Sequence, residues 1–355
     1  MRGIRTVLKI TALVILVLAG LAAILLYKGD IPASEVDAKY SNEASQFLTL
    51  ENGSRIHYRD QGNPDGEPLV LIHGSNASLH AWEPWVAELG DEYRIVTLDL
   101  PGHGLTGAVP SRDYSTEAYV GVVAAVTQAL GLPEFVLGGN SMGGGVTWRY
   151  ALTHPDTVRA MILVDATGPF SWSREAMARE DIENAGKERE TPLAFSLMRQ
   201  PAFRALARHL DPAFLVEQGL RSAYYRQDVV TPELITQYYE LALREGTRAA
   251  TMDRFAGFRP GQTEEVNLQP LTMPTLILWG QEDSLISTGV ANRFSQELPV
   301  SQLIIYPEVG HLPMEEIPAQ TASDVRNFLH GLSVANPSDS DGSGSQAAPH
   351  EETAH

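Results

Sequence analysis

The fold is decided by the stretch Phe135-Val136-Leu137-Gly138-Gly139-Asn140-Ser141-Met142-Gly143-Gly144-Gly145. An apolar run, typical of a buried strand, breaks at a serine between glycines, and a helical pattern resumes at Val146 and runs to Pro155. The pattern Gly-x-Ser-x-Gly predicts a tight strand-to-helix turn, because a Cβ at either outer glycine would collide with neighbouring backbone. The serine hydroxyl is then exposed at a helix N-terminus, where backbone N–H groups favour developing negative charge.

Apolar runs elsewhere predict further strands, and the first two form a hairpin. Residues 47–50 and 56–59 flank Asn52-Gly53, a strong signal for a type I′ turn with positive φ at both central residues. The other runs are residues 68–72, 93–98, 160–164, 275–279 and 303–306. These runs are continuous in Val, Ile and Leu, which is typical of strands covered on both faces. We therefore predict an α/β fold with a mostly parallel, eight-stranded sheet between helices.

The strand pattern stops between two parts of this core. Residues 46–166 form the predicted first part and residues 268–334 the second. Residues 167–267 contain helix-length segments that begin near prolines, which predicts an inserted helical lid. Residues 335–355, rich in Ser, Gly, Asp and Glu, predict a disordered tail, because they cannot bury enough apolar surface to order. Residues 31–45 are predicted to be a tether without secondary structure.

The overall composition excludes some classes of function. The formal net charge of -18 is spread along the 355 residues, which argues against a nucleic-acid partner, since such a partner requires a basic face. The chain has no cysteine, so disulfides, thiolate metal ligands and thiol catalysis are all excluded.

The N-terminus predicts a membrane anchor at residues 1–30. Arg2, Arg5 and Lys9 precede an apolar run at residues 10–27, which is long enough as a helix to approach the ~30 Å hydrocarbon core. The basic residues place the N-terminus in the cytoplasm, so a single-pass protein would carry its main domain on the periplasmic or extracellular side. A cleaved signal peptide and a buried helix of the fold are the alternatives.

Ser141 needs two partners to act as a nucleophile, a base and a group that orients the base. With this turn the expected order is Ser, then Asp or Glu, then His, each in a loop after a strand. Asp283 follows the strand at residues 275–279 and is preferred to Glu282 for its spacing beyond Gly280. His311 follows the last predicted strand. His103 is a rival base by its loop position, but it precedes the serine.

Acyl transfer at Ser141 would also require backbone N–H donors for the oxyanion of the transition state. Met142, the residue after the nucleophile, supplies one donor, and the loop after the third strand supplies the second, for which Ser75 is the candidate. His73 and Gly74 are expected to shape that turn rather than to react.

Together these motifs resemble those of the α/β-hydrolase superfamily. The resemblance rests on His73-Gly74-Ser75, residues 99–104 (Asp-Leu-Pro-Gly-His-Gly), residues 139–144 (Gly-Asn-Ser-Met-Gly-Gly), residues 280–283 (Gly-Gln-Glu-Asp) and Gly310-His311. It covers roughly residues 47 to 333 and implies the superfamily's sheet, with the inserted helices acting as a lid over the active site.

The resemblance implies a serine hydrolase of the esterase or lipase type that acts on a small, apolar acyl substrate without a metal or organic cofactor. A serine at position 141, where haloalkane dehalogenases and epoxide hydrolases carry aspartate, argues against those activities. The sequence around Ser141 is similar to that of meta-cleavage C–C hydrolases, but Leu312 stands where those enzymes generally have tryptophan. A non-catalytic binding module on the same fold is a further alternative.

Overall fold

The computed structural model describes residues 26–169, 171–172, 200–257 and 266–335, together with positions 10, 11, 13 and 20. Eight strands form one sheet, in the order β1-β2-β4-β3-β5-β6-β7-β8. Their bounds are β1 Ser45–Thr49, β2 Arg55–Gly62, β3 Pro68–Ile72, β4 Arg94–Leu98, β5 Phe135–Asn140, β6 Val158–Val164, β7 Thr275–Gly280 and β8 Ser301–Tyr306. Strand β2 is antiparallel to β1 and β4, and all other pairs are parallel. The predicted mostly parallel, eight-stranded sheet is confirmed.

The helices of the described residues cover the sheet and form the lid. Their bounds are α1 Ala33–Tyr40, α2 Glu83–Leu89, α3 Thr116–Ala129, α4 Met142–Thr153, α5 Pro201–Ala207, α6 Ala213–Ala223, α7 Pro232–Leu243, α8 Thr247–Gly257, α9 Thr288–Glu297, α10 Pro313–Glu316 and α11 Pro318–Ala335. Because side chains alternate along a strand, Leu69 and Leu71 pack in one hydrophobic cluster while Val70 and Ile72 pack in the other. Both faces of the sheet are therefore buried, which accounts for the continuous apolar runs in the sequence.

The first hairpin has a different turn from the predicted one. Gly53 has φ 78°, but Asn52 is not among the residues with positive φ. The N–H of Gly53 donates to the carbonyl of Leu50 at 2.9 Å, and the N–H of Leu50 donates to the carbonyl of Ser54 at 2.8 Å. The longer connection lets a single glycine supply the left-handed residue, so the type I′ prediction is wrong although the hairpin itself is present.

The predicted lid lies between β6 and β7, and α5 to α8 belong to it. Part of the predicted lid, residues 170, 173–199 and 258–265, lies outside the described residues. The N-cap of α7 illustrates how the sequence begins these helices: Pro232 occupies the first turn and the Thr231 hydroxyl accepts a hydrogen bond from the N–H of Leu234 at 3.2 Å.

The segment predicted to be a tether contains a helix and packs on the lid. We call residues 26–40, which include α1, the N-terminal strap. Residues 26–31 of the strap form backbone hydrogen bonds of 2.7 to 2.9 Å with residues 209–211 and 243–245 of the lid. These contacts join segments more than a hundred residues apart, and a pattern of polar and small residues does not reveal them.

Two buried arginines of the lid hold the N-terminal strap by ion pairs. The Arg244 Nε donates to the Asp37 carboxylate at 2.8 Å, and the Arg248 Nε donates to the Asp30 carboxylate at 3.0 Å. Both arginine side chains are less than a tenth exposed. Breaking an ion pair that is removed from water in this way strongly destabilises the fold, because the remaining partner is left as an uncompensated charge.

The predicted transmembrane helix is not found in the part of the chain that the structure describes, where no helix is long and apolar enough to cross a bilayer. Most of the predicted anchor at residues 1–30 lies outside the described residues, and so does the predicted tail beyond Ala335.

Candidate active site

Ser141 occupies a strained turn between β5 and α4. Its backbone has φ 53° and ψ -118°, and non-glycine residues rarely adopt such a positive φ. A Cβ on Gly139 would lie 2.4 Å from the backbone of Gly143, and a Cβ on Gly143 would lie 2.2 Å from the carbonyl oxygen of Ile72. The two glycines therefore allow the helix to approach the strands closely, and the side chain of Ser141 is left partly exposed.

Replacing Gly143 by alanine is expected to destabilise the fold by about 3 kcal/mol or more, because the new methyl group meets rigid backbone rather than a movable side chain. The free energy of unfolding in urea measures this cost. Gly121→Ala is the matched control, since a Cβ at this helical position meets nothing within 4 Å, and it is expected to be neutral or slightly stabilising. Equal stability of the two variants would contradict the packing argument.

His311 and Asp283 lie together at the same edge of the sheet. His311 Nδ1 is 2.7 Å from Asp283 Oδ2, and both side chains are buried. The other carboxylate oxygen, Oδ1, accepts hydrogen bonds from the N–H groups of Leu285 at 2.7 Å and Ile286 at 3.0 Å. A carboxylate accepts, so Nδ1 carries the proton and Nε2 of the neutral ring is left as the acceptor.

Asn140 connects the His311 loop to the turn at Ser141. Its side-chain Nδ2 donates to the carbonyl of His311 at 3.1 Å and to the carbonyl of Val164 at 3.2 Å. Asn140 immediately precedes Ser141, so the hydrogen bond fixes the loop of the predicted base against the loop of the predicted nucleophile. This role of Asn140 was not predicted, because nothing in the local sequence pattern indicates a partner 171 residues away.

The predicted oxyanion loop also lies against Ser141. A Cβ on Gly74 would be 2.7 Å from the side-chain oxygen of Asn140 and 3.2 Å from the Cβ of Ser141. The next residue, Ser75, is the predicted second donor. Its side chain and that of Met142, the predicted first donor, both contact the guanidinium of Arg254. The structure thus brings Ser75 and Met142 to one place, although their role as oxyanion donors stays a prediction.

The two histidines near this loop have structural hydrogen bonds. His73 Nδ1 donates to the carbonyl of Gly74 at 2.7 Å, and its Nε2 accepts from the N–H of Leu100 at 3.1 Å. His103 Nδ1 donates to the carbonyl of Pro101 at 3.0 Å. Burial lowers the pKa of both rings, so both are neutral and each has one defined tautomer.

Asp99 organises the loop that contains His103. Its carboxylate accepts hydrogen bonds from the His57 ring at 2.7 Å and from the N–H groups of Leu79 and Leu105, each at 2.8 Å. Burial alone would raise the pKa of Asp99, but the bond from His57 and the nearby histidines outweigh it and lower the pKa. Asp99 is therefore ionised, and the loop is built around its charge.

Asp165 is a second acid beside Asp283. It follows β6, has φ 44°, and its Oδ1 accepts from the N–H of Gly280 at 3.0 Å. Burial, and then the charge of Asp283, raise the pKa of Asp165 well above its usual value, which favours the protonated form of this carboxyl. Asp165 was not predicted as a site residue, although its place directly after a parallel strand, like that of Asp283, was a usable signal.

Asp165, Asp283 and His311 are also the residues whose spacing is compatible with a metal ion, since one ligand atom of each lies within 4.8 Å of the others. The His311 ring nitrogen and the Asp283 carboxylate in this group are already hydrogen-bonded to each other, and the raised pKa of Asp165 favours its protonated form. Because metal binding would require these groups to give up both features, the arrangement fits an acid-histidine pair better than a cation site.

Glu316 fastens the loop of His311 to the lid. Its Oε1 accepts from the N–H of Gly310 at 2.9 Å, and its Oε2 accepts from the N–H groups of Tyr225 and Arg226 at 3.1 and 2.8 Å. The N–H of His311 itself donates to a lid carbonyl, that of Ala223, at 2.7 Å. The position of the imidazole thus depends on the lid as well as on Asp283, which the sequence did not predict.

Glu315 makes the stability of this region depend on pH. Burial raises its pKa from 4.5 to about 8; the hydroxyls of Tyr224 and Tyr238 oppose this shift, while the charges of Glu316 and Glu83 add to it. The Glu315 carboxyl ionises near pH 4.5 in the unfolded chain and near pH 8 in the folded chain. Its contribution to stability is therefore greatest below pH 4.5 and falls as the pH rises from 4.5 to 8.

The Glu315→Gln variant is expected to lack this slope, which amounts to at most about 1.4 kcal/mol per pH unit. Urea unfolding at pH 5.5, 6.5 and 7.5 measures it: the wild-type protein should lose stability relative to the variant as pH rises. Glu43→Gln, which changes an exposed glutamate, is the control and should follow the wild-type profile. Parallel profiles of Glu315→Gln and the wild type would contradict the raised pKa.

The chain belongs to the α/β-hydrolase fold family, which it matches over residues 67–318. Lipase 1 of Psychrobacter immobilis is 28% identical over 284 residues, which are 79% of this chain and 82% of the lipase. A 2-hydroxy-6-oxononadienedioate/2-hydroxy-6-oxononatrienedioate hydrolase of Pseudomonas sp is 26% identical over 294 residues, 81% of this chain and 96% of that enzyme. The crystal structure of a membrane phospholipase A superposes with a TM-score of 0.63 and 26% identity, covering 91% of this chain and 98% of that one. The protein is therefore a hydrolase of this family.

Proposed function

We propose that the protein is a serine hydrolase that cleaves carboxylic esters through an acyl-enzyme intermediate on Ser141. The observation that carries this proposal is the buried hydrogen bond between His311 and Asp283, together with the Asn140 side chain that ties the His311 loop to the turn at Ser141. The lipase and phospholipase relatives support an ester as substrate.

In the proposed mechanism the Ser141 Oγ attacks the ester carbonyl while Nε2 of His311 accepts the hydroxyl proton. Asp283 holds the tautomer that makes Nε2 the acceptor and stabilises the imidazolium. The N–H groups of Ser75 and Met142 stabilise the oxyanion of the tetrahedral intermediate. The C–O bond to the alcohol then breaks, and His311 protonates the leaving alcohol.

The second half of the proposed reaction uses the same groups with water in place of the serine hydroxyl. His311 removes a proton from water, the resulting hydroxide attacks the acyl carbon, and Ser141 leaves with the proton that His311 returns. The carboxylic acid is released and the free enzyme is restored. The proposed reaction uses no metal and no organic cofactor.

Hydrolysis of a C–C bond is the second candidate, because one relative is named as a 2-hydroxy-6-oxononadienedioate hydrolase. A panel of 4-nitrophenyl esters of graded acyl length, assayed beside a 2-hydroxy-6-oxodienoate, tests the choice. We expect turnover of the esters. Turnover of the dienoate with only trace esterase activity would replace the proposal by the C–C reaction.

Labelling by a fluorophosphonate separates an enzyme from a binding module on the same fold. A triad that activates Ser141 should form one covalent adduct, and mass spectrometry of the tryptic peptides should locate it at Ser141. Ser222→Ala, which removes an exposed lid hydroxyl, should leave labelling complete. A folded wild-type protein that remains unlabelled would support the binding module instead.

We also propose that the part of the predicted anchor at residues 1–30 that precedes the N-terminal strap holds the protein in a membrane as a single pass, with the hydrolase domain on the periplasmic or extracellular side. The apolar run at residues 10–27 and its basic N-terminal flank support this proposal, as does the similarity to a membrane phospholipase A. Fractionation of cells that express the full chain tests it. Release of the full-length protein by high salt without detergent would contradict the anchor, and protease protection of the domain in spheroplasts would contradict the orientation.

A further inference from the structure

Arg254, on α8 of the lid, reaches across to the predicted oxyanion loop. Its Nη1 donates to the hydroxyl of Ser75 and contacts the Met142 sulfur at 3.4 Å, and its Nη2 donates to the side-chain oxygen of Asn76 at 2.6 Å. All three partners are electrically neutral. A guanidinium is therefore held beside the turn at Ser141 by groups that leave its charge uncompensated.

Two buried arginines of the lid are paired with acids, whereas Arg254, which is partly exposed, has no such partner among the described residues. Arg244 and Arg248 bind Asp37 and Asp30, whereas no carboxylate of the described residues forms an ion pair with Arg254. Burial lowers the pKa of Arg254, which reflects the loss of solvation without a compensating anion. Since a desolvated cation without a counter-ion is costly, the position favours an anion that arrives with the substrate.

Two neighbouring polar atoms are also without a partner. The Tyr119 hydroxyl and Nε2 of His103 are buried and form no hydrogen bond in the described part of the chain. The rings of His103 and Tyr119 meet edge to face with their centroids 6.3 Å apart, and burial and then the charge of Arg254 lower the pKa of His103. Native proteins rarely leave such atoms unsatisfied, so this pair of atoms supports a polar ligand in the region of Arg254.

Arg254 and its hydrogen-bond partners are accessible on the side of the predicted reaction centre. Ser75 and Asn76 are exposed, and Ser141 and Met142 are partly exposed. Ser75 and Asn76 each accept a single hydrogen bond from the guanidinium, and neither acceptor carries a charge. A planar carboxylate or a phosphate can bind the same Nη1 and Nη2 groups in a bidentate, charge-assisted way, which is the stronger interaction.

We propose that Arg254 binds an anionic oxygen group, a carboxylate or a phosphate, that is part of the ester substrate. This inference rests on the proposed esterase function and narrows its substrate class to esters with an anion close to the scissile carbonyl. When the substrate binds, its anionic group replaces the side chains of Ser75 and Asn76 as the hydrogen-bond acceptor of the guanidinium. Arg254 is thus a specificity residue on the lid, and the apolar part of the substrate lies elsewhere.

The test compares matched esters with and without the anion. In the carboxylate arm, mono(4-nitrophenyl) glutarate is compared with its neutral methyl ester; in the phosphate arm, 1-butyrylglycerol 3-phosphate is compared with 1-butyrylglycerol. The readout in each arm is the ratio of kcat/KM for the anionic ester to that for the neutral ester. This ratio cancels any general loss of activity that a change near the oxyanion loop causes.

In at least one arm we expect the wild-type ratio to exceed about 10, and Arg254→Met to reduce it about 30-fold, the usual effect of losing a charge-assisted hydrogen bond. Arg254→Lys should retain an intermediate ratio, since it keeps the charge but loses the bidentate geometry. Arg221→Met is the matched control, because Arg221 is an exposed lid arginine already paired with Glu217, and it should keep the wild-type ratio. The arm that shows the preference identifies the anion as carboxylate or phosphate.

A ratio near one in both arms of the wild-type enzyme would overturn the inference, and so would an unchanged ratio in Arg254→Met. If the methionine variant does not fold, inhibition of wild-type neutral-ester hydrolysis by glutarate and by glycerol 3-phosphate decides: competitive inhibition weakened by Arg254→Lys supports the site, and no inhibition refutes it. Failure of the esterase proposal would give a different result from failure of the Arg254 inference. In that case neither the anionic nor the neutral ester would show turnover that depends on Ser141.

Discussion

Ser141→Ala is expected to reduce kcat for ester hydrolysis by about 10⁶-fold, the size of effect measured when the nucleophile of a serine protease triad is removed. The hydroxyl is the atom that would form the acyl bond, and alanine leaves His311 with no proton to accept. Rates with 4-nitrophenyl butyrate measure the loss, and the melting temperature verifies the fold. Residual rate acceleration over water would come from the N–H donors of Ser75 and Met142 and from binding.

The control for this experiment is Ser222→Ala. The Ser222 hydroxyl is exposed on α6 and donates to the carbonyl of Gly219 in its own helix at 2.9 Å, so its removal should change kcat less than about twofold. If Ser141→Ala kept ester turnover within an order of magnitude of the wild type, the acyl-enzyme mechanism would be wrong.

Asp283→Asn is expected to lower kcat by about 10⁴-fold, as the same change does in a serine protease triad. The reason lies in the two N–H groups, of Leu285 and Ile286, that donate to Oδ1 of Asp283. In the variant they would hold the amide oxygen in that place and turn the NH₂ group towards His311. The ring would then accept at Nδ1 and carry its proton on Nε2, the tautomer that cannot deprotonate Ser141.

Glu282→Gln is the matched control, since Glu282 is the adjacent acid, is exposed, and was the alternative at sequence level. It should keep kcat within about twofold of the wild type. Steady-state rates of both variants with one ester decide between the acids. An Asp283→Asn enzyme that retains a tenth or more of its activity would show that another group, with Asp165 the nearest acid, orients the imidazole.

The features that the sequence predicted correctly are those that a short window of residues determines. The continuous apolar strands follow from burial on both faces, and the turn at Ser141 follows from the backbone approach that Gly139 and Gly143 allow. The positions of Asp283 and His311 at one edge of the sheet were predicted from the loops they occupy, because the carboxyl ends of neighbouring parallel strands meet there. Their mutual hydrogen bond required no further information.

The features that the sequence did not predict depend on contacts between distant segments. Arg254 resembles any other lid arginine until its partners are seen to be neutral. Glu316 resembles an ordinary helix residue, yet it binds the backbone of both the lid and the His311 loop. At the first hairpin the dipeptide Asn52-Gly53 indicated a reversal of the chain, but the length of the connection decided which residues took positive φ.

The N-terminal strap has a practical consequence for the study of this enzyme. A chain shortened to begin after Tyr40, chosen to avoid the apolar N-terminal run, would also discard Asp30 and Asp37 and so remove the carboxylate partners of the lid residues Arg244 and Arg248. Two buried cations would then be left uncompensated in the lid, so we expect rates measured on such a fragment to describe a destabilised lid rather than the native one.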